Sequence, residues 1–158
     1  MKYQFLIIIK ENFMEKIKTI KSYGNEMLKN AERTDDQKFG SFYLSRFLGF
    51  NISFEGECCL VKFIATPPMF NPQGSLHGGI IATAMDVAMG HLLHQTTGSG
   101  VTLEINVKYL SPIIGGNITC KGSFLRKGKS ISFLQAHMYK EDGKIAAYAS
   151  ATWKPLDI

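Results

Sequence analysis

The segment Leu76–Gln95 runs twenty residues with no proline and no turn cluster after Gly79, and that length argues for a helix rather than a strand. Ser75 stands where an N-cap residue is preferred. This is the only long helical stretch in the second half of the chain. Beyond "TTGSG" the period changes to two: Val101, Leu103, Ile105, Val107 and Tyr109 alternate with Thr102, Glu104, Asn106 and Lys108, giving a strand with one apolar and one polar face. "SPIIGG" turns the chain, and Asn117–Arg126, Ser130–Lys140 and Lys144–Trp153 follow as three more strands. Asp142-Gly143 between the last two is a hairpin signal.

The first half adds fewer constraints. Glu11 to about Glu32 has Phe13, Ile17, Ile20, Met27 and Leu28 near helical spacing, with Lys and Glu between them. A second, short helix is expected over Phe39–Leu48, closed by Gly49. Phe50–Thr66 divides into two strands about a turn at Gly56, and "PPMFNPQG" is a loop because its prolines suit neither ladder. The first 13 residues, ahead of Met14, are either a start-site extension or a strand-like arm. The expected order is helix, two strands, one long helix and four strands.

Short turns between successive strands make the sheet largely antiparallel, so one sheet has to wrap one long helix in an α+β domain. The last strand fits this, because Ile145, Ala147, Ala149 and Ala151 share one face, and small side chains let a helix backbone come close. Such a sheet ends in open edge strands, and joining two edges across a dimer is a natural way to cover them. With 158 residues, one core suffices, and the expected division is an N-terminal extension, 1–38, and a domain, 39–158.

Composition narrows the partners. A chain that is 45% hydrophobic and 20% charged, without an apolar run near the roughly 20 residues of a membrane span, reads as a cytoplasmic protein with no membrane segment. The five consecutive apolar residues near the start are too few for a signal-peptide core. Three cysteines, two of them adjacent, make no disulfide framework, and no His/Cys cluster suggests a metal. His91 and His94 have chelating spacing but lack a third ligand. The net charge of +5 favours anionic partners. Nucleic acid is disfavoured because the densest basic run, "RKGK" at Arg126–Lys129, has no interleaved aromatics.

Within the long helix, Asp86 is the only charged residue, and Gly78-Gly79 open it. A helix start offers unpaired N–H groups and the positive end of the helix dipole, which suit a developing oxyanion. A carboxylate seven residues further on can activate water, but it lies roughly 10 Å along the axis, too far for both groups to serve one carbonyl within one chain. Cooperation is easiest if each site takes Gly79 from one subunit and Asp86 from its partner.

Three stretches, "NPQGSLHGGIIATAMDVAMG", "VTLEINVKYLSPIIGG" and "GKSISFLQAHMYKEDGKIAAYASATW", together resemble the hotdog-fold thioesterases of the PaaI-like, phenylacetate-pathway type, over about Phe42–Lys154. The nine-residue step from His77 to Asp86 is its most specific part. The resemblance implies a curled antiparallel sheet of about six strands around a central helix, and acyl-CoA hydrolysis at a subunit interface. It implies a homodimer, paired into a dimer of dimers, with CoA as part of the substrate and no separate cofactor or metal. By the same likeness Asp86 is general base or nucleophile, Gly79 the N–H donor to the thioester oxygen, and His77 and Gly78 the rest of that turn. Asn71 is implied to hold the thioester or water, and Thr102 to position the water. Arg126, Lys127 and Lys129 either meet the CoA phosphates or form an ordinary solvated hairpin. Two other classes stay open: a non-catalytic acyl-CoA-binding module, and a hotdog hydratase or dehydratase using His77.

Overall fold

The computed structural model describes residues 19–156. The proposed N-terminal arm and the first part of the first expected helix lie outside them. Helix α1 covers residues 19–31, α2 is Tyr43–Phe47 and α3 is Gly78–Thr97, with a single 3-10 turn at Pro67–Met69. The strands are β1 (Asn51–Glu55), β2 (Cys58–Ala65), β3 (Gly100–Tyr109), β4 (Gly116–Arg126), β5 (Ser132–Tyr139) and β6 (Ile145–Pro155). All five pairings are antiparallel, in the order β1-β2-β4-β5-β6-β3. This is the expected hotdog arrangement, a six-stranded sheet folded over one long helix.

Helix α3 is buried on most of its circumference: Ile81, Ala84, Met85, Val87, Ala88, Met89, Leu92 and Leu93 all lie in the core. A helix apolar nearly all round is a core helix rather than an amphipathic surface one. The sheet meets it with Cys59, Val61 and Phe63 on β2, Ile118 and Cys120 on β4, and Leu134, Ala136 and Met138 on β5. Ala147, Ala149 and Ala151 on β6 are buried as expected of a small-residue face. The closest approach, however, lies on β4. A Cβ at Gly122 would stand 2.9 Å from both the carbonyl carbon and oxygen of Ala88, so the missing side chain is what lets helix backbone and sheet touch. At Gly90 the same economy runs the other way, since a Cβ there would meet the Trp153 ring at 2.7 Å.

Three local expectations change. The long helix begins at Gly78 with His77 as its N-cap, not at Leu76 after Ser75. The Leu76 N–H is bonded to Ile113 O (2.8 Å) and the His77 N–H to Met69 O (2.9 Å), which holds this stretch extended until His77. The short second helix covers only Tyr43–Phe47, because Lys38 and Ser41 pair across a tight turn with Gly40 at φ 85°, a left-handed conformation a helix cannot contain. Gly49, at φ 66°, does close it. Strand β3 does not alternate strictly: Thr102 faces Trp153 and Glu104 faces Thr152, so Leu103 is an extra residue in the register. That bulge turns Thr102 to the same face as Ile105, toward the helix, where simple alternation puts it on the polar face.

The cysteines are free, as expected, and burial pushes the Cys59 thiol up to about 12, which keeps it inert. No helix among the described residues is long and apolar enough to cross a membrane.

If the α3 seat depends on Gly122, Gly122→Val will force the Ala88 turn off the sheet. The expected cost is about 1–3 kcal/mol by urea unfolding; an unchanged midpoint would show that the seat is slack.

Candidate active site

Asp86 lies one turn before Gly90 on α3, partly buried, with Thr102 of β3 opposite it. The Thr102 hydroxyl donates to Asp86 Oδ1 at 2.9 Å. Because Thr102 Oγ1 occupies one carboxylate oxygen, Oδ2 is left to meet another group. Burial raises the Asp86 carboxyl above its ordinary range, and the Thr102 hydrogen bond and the nearby His91 only partly oppose this. The carboxyl opens into a pocket of about 580 Å³ whose walls include Phe39, Phe42, Val87, Val101, Thr102 and Trp153. A carboxylate of raised basicity beside a hydroxyl, on the wall of a largely apolar cleft, can take a proton from a water held there.

The helix start forms the second cluster. Asn71, His77, Gly78 and Gly79 all belong to it, together with Ser75. Asn71 closes the loop: its Oδ1 accepts from the N–H of Gln73 (3.0 Å) and of Ser75 (3.2 Å), and its Nδ2 donates to Ser75 Oγ (3.1 Å). One amide hydrogen is left for a ligand. Gly79 N–H donates to His77 Nδ1 at 2.9 Å, so the side chain of His77 caps the helix on the group expected to face the thioester. The Gly78 N–H has no hydrogen-bond partner among the described residues. Tyr109 lies over Gly78, its hydroxyl donating to Gly78 O at 3.1 Å and its ring 3.3 Å from where a Gly78 Cβ would be.

Within one chain these two clusters stand apart, as the helix geometry requires. Arg126, Lys127 and Lys129 are further still from the helix start: they are exposed at the β4–β5 hairpin, and Lys127 Nζ reaches Thr96 O (3.5 Å) in the last turn of α3.

Two features have no counterpart in the sequence reading. Tyr109 was legible only as an apolar strand position. His91 stood out only as half of a chelating pair, yet its Nε2 accepts the Gly40 N–H at 2.9 Å while Nδ1 meets Val87 O at 2.9 Å. Since Nε2 accepts, Nδ1 carries the proton, and the ring is a neutral donor–acceptor bridge; burial lowers its pKa and favours that form.

Comparison with known proteins bears on the family and the fold. The thioesterase superfamily profile matches residues 73–147, which hold the helix start, Asp86 and Thr102. The medium/long-chain acyl-CoA thioesterase YigI of Escherichia coli K12 is 30% identical over 128 residues, covering 69% of this chain and 83% of that protein.

The chain belongs to the thioesterase superfamily.

Two other superfamily relatives are matched over only 59% and 63% of their own length. Among solved structures, the Bacillus halodurans protein BH2602, determined with CoA, superposes with a TM-score of 0.78 at 22% identity, covering 87% of this chain and 93% of that one. The Escherichia coli PaaI protein of the phenylacetic acid degradation operon gives a TM-score of 0.70 at 18% identity, covering 85% and 96%. At such identities the likeness is one of fold, and it places this superfamily member on the PaaI-type hotdog scaffold.

The raised Asp86 carboxyl carries a consequence for stability. A folded-state pKa above the unfolded one means that the native state holds its proton more tightly, so stability falls as pH rises through the ordinary carboxylate range and on to the folded value. Asp86→Asn is therefore expected to melt a few degrees higher than the wild type at neutral pH. The two should converge below pH about 4, where the aspartate is protonated in both states. A pH-independent difference in melting temperature would assign the effect to packing instead.

Proposed function

We propose that this protein is an acyl-CoA thioesterase, hydrolysing the thioester to a free acid and CoA. The observation that carries the reading is the Thr102–Asp86 pair on the wall of a largely apolar pocket. The superfamily membership and the activity named for the YigI relative support it. In the direct route, water attacks the carbonyl carbon and gives its proton to Asp86 Oδ2. The carbonyl oxygen takes the negative charge against N–H groups at a helix start, the C–S bond breaks, and the departing thiolate recovers the proton from Asp86. If Asp86 instead attacks, the acid is released from an acyl-aspartate anhydride by water in a second step.

The oxyanion donors are the glycine pair. Gly78 N–H is available as it stands, and Gly79 N–H becomes available when the His77 ring turns away. A His77-dependent hydratase or dehydratase is less well supported, because the family profile and the activity named for the YigI relative favour thioester hydrolysis. A module that only binds acyl-CoA has no need for a carboxylate whose basicity is raised by burial.

The separation of the clusters favours a homodimer as the active unit, in which Asp86 works with the glycines of the partner subunit. β3 is the natural seam. It is an edge strand of ten residues with Val101, Leu103 and Tyr109 exposed at 43, 55 and 55%. Pairing two such edges satisfies their open ladders and covers these side chains. Further pairing of dimers into a tetramer, and contact of Arg126, Lys127 and Lys129 with CoA phosphates, are compatible with the same arrangement.

Asp86→Ala is expected to lower thiol release from acyl-CoA by at least ~10²-fold with an unchanged circular dichroism spectrum, and Thr102→Val by a comparable factor that Thr102→Ser restores. Full turnover in Asp86→Ala would end this mechanism. Co-expression of Asp86→Ala with Gly78→Val, each inactive alone, tests the shared site: mixed dimers keep one intact site of two, so about a quarter of wild-type activity should return. No recovery would place both clusters in the service of one chain.

A further inference from the structure

The pocket beside Asp86 is lined on another side by the segment before α2, through Gln37, Lys38, Phe39 and Phe42. From Asp86 it follows α3 past Val87 and Gly90 to His91, and there the chain preceding α2 lies across the helix. That crossing is the tight turn Lys38–Ser41, closed by two backbone hydrogen bonds, with Phe39 and Gly40 at its tip. Gly40 N–H is bonded to His91 Nε2, and the Phe39 ring stacks flat on His94, centroids 3.5 Å apart and planes 3° from parallel. A second, edge-on contact joins Phe39 to His91 at 5.1 Å.

The turn is held from its other side as well. The Arg46 guanidinium donates to the carbonyls of Ala31 (3.0 Å), Thr34 (2.7 Å), Asp36 (2.9 Å) and Ser41 (3.1 Å). Four backbone carbonyls on one planar fork fix the course of residues 31–41. Phe39 is thus anchored on both sides although its side chain stays 50% exposed. A large aromatic kept half open at the wall of a cleft, by side chains devoted to its loop, is a surface prepared for an apolar group.

We propose that the Lys38–Ser41 turn is the closed end of the acyl pocket, and that Phe39, held there by His91 and Arg46, sets the longest acyl chain the site accepts. The inference rests on the thioesterase reading, since it takes Asp86 as the reacting end. Over the five residues from Asp86 to His91, the part of α3 that lines the pocket, the helix advances ~7.5 Å, which is the reach of an extended hexanoyl to octanoyl chain. The substrate class is accordingly acyl-CoA with an unbranched apolar chain of medium length. Phe42, Val87, Val101 and Trp153 supply the flanks. His91 is a positioning residue, acting through Gly40.

The test is a series of straight-chain substrates, butanoyl- to hexadecanoyl-CoA, with wild type, Phe39→Ala and Phe39→Trp. Phe39→Ala should raise the ratio of kcat/KM for hexadecanoyl over octanoyl substrate by ~10-fold or more, and Phe39→Trp should lower it. A ratio unmoved in both variants, whatever the absolute rates, overturns the proposal. Trp153 is the only tryptophan in the chain and lines this pocket, so its fluorescence reports acyl-CoA binding without turnover. If the wild type hydrolyses none of the series but this signal shows the same Phe39-dependent shift in chain preference, the thioesterase reading fails while the pocket assignment stands. If binding too is indifferent to Phe39 or absent, the pocket assignment fails with it. His91→Phe, which removes the acceptor for Gly40, should speed hydrogen exchange at the Gly40 amide ~10-fold or more and flatten the chain-length profile. An exchange rate equal to wild type would remove His91 from the latch.

Discussion

The approach of the Ala88 backbone to Gly122 is the contact on which the remaining geometry depends. A helix this close to its sheet has little circumference left for solvent, and α3 accordingly carries apolar or small side chains almost all round. A single carboxylate on such a helix is withdrawn from water by its position alone. Its raised pKa is then a product of packing, and the one hydrogen bond from Thr102 orients the group without restoring its solvation. The same close seat holds Gly90 under Trp153, so one wall of the pocket and the placement of the carboxylate come from one packing decision.

Stability and reactivity pull in opposite directions at that point. A core helix gains most from apolar residues, and Asp86 is a charge placed against that gradient. The sheet accommodates it with a local irregularity: the bulge at Leu103 brings Thr102 to the helix-facing side, where regular alternation would have presented Leu103. The Asp86–Thr102 pair therefore rests on two departures from the regular pattern, one on the helix and one on the strand, that meet at 2.9 Å.

The sequence was most legible where periodicity and length speak for themselves. The antiparallel strands, the central helix and the prominence of Asp86 could all be read from spacing, and the likeness to the hotdog family singled out Thr102, which the structure brings to Asp86. What was not legible depended on hydrogen bonds between distant residues. The start of α3 shifted to Gly78 because Met69 and Ile113 claim the N–H groups of His77 and Leu76, and neither partner is near them in sequence order or marked by any motif. The bulge at Leu103 leaves a run of alternating residues looking regular, since a strand of apolar and polar residues in turn does not announce an inserted register step. His91 and Phe39 failed to stand out for the same reason: a histidine on an apolar helix and a phenylalanine before a glycine acquire meaning only when 51 residues of separation close into one hydrogen bond.

The division of labour that results is asymmetric. The proposed reacting groups sit on α3 and β3, elements whose positions the core fixes, whereas another wall of the pocket sits on a turn before the first strand. Loops on a rigid scaffold tolerate change far better than the scaffold itself. Here the turn is not left loose, for Arg46 and His91 hold it at both sides by hydrogen bonds to backbone atoms of the segment. Backbone anchoring leaves the tip residue free to vary. A chain built this way can alter what fills position 39, and with it the depth of the pocket, without disturbing the Asp86–Thr102 pair or the seat of the helix that positions it.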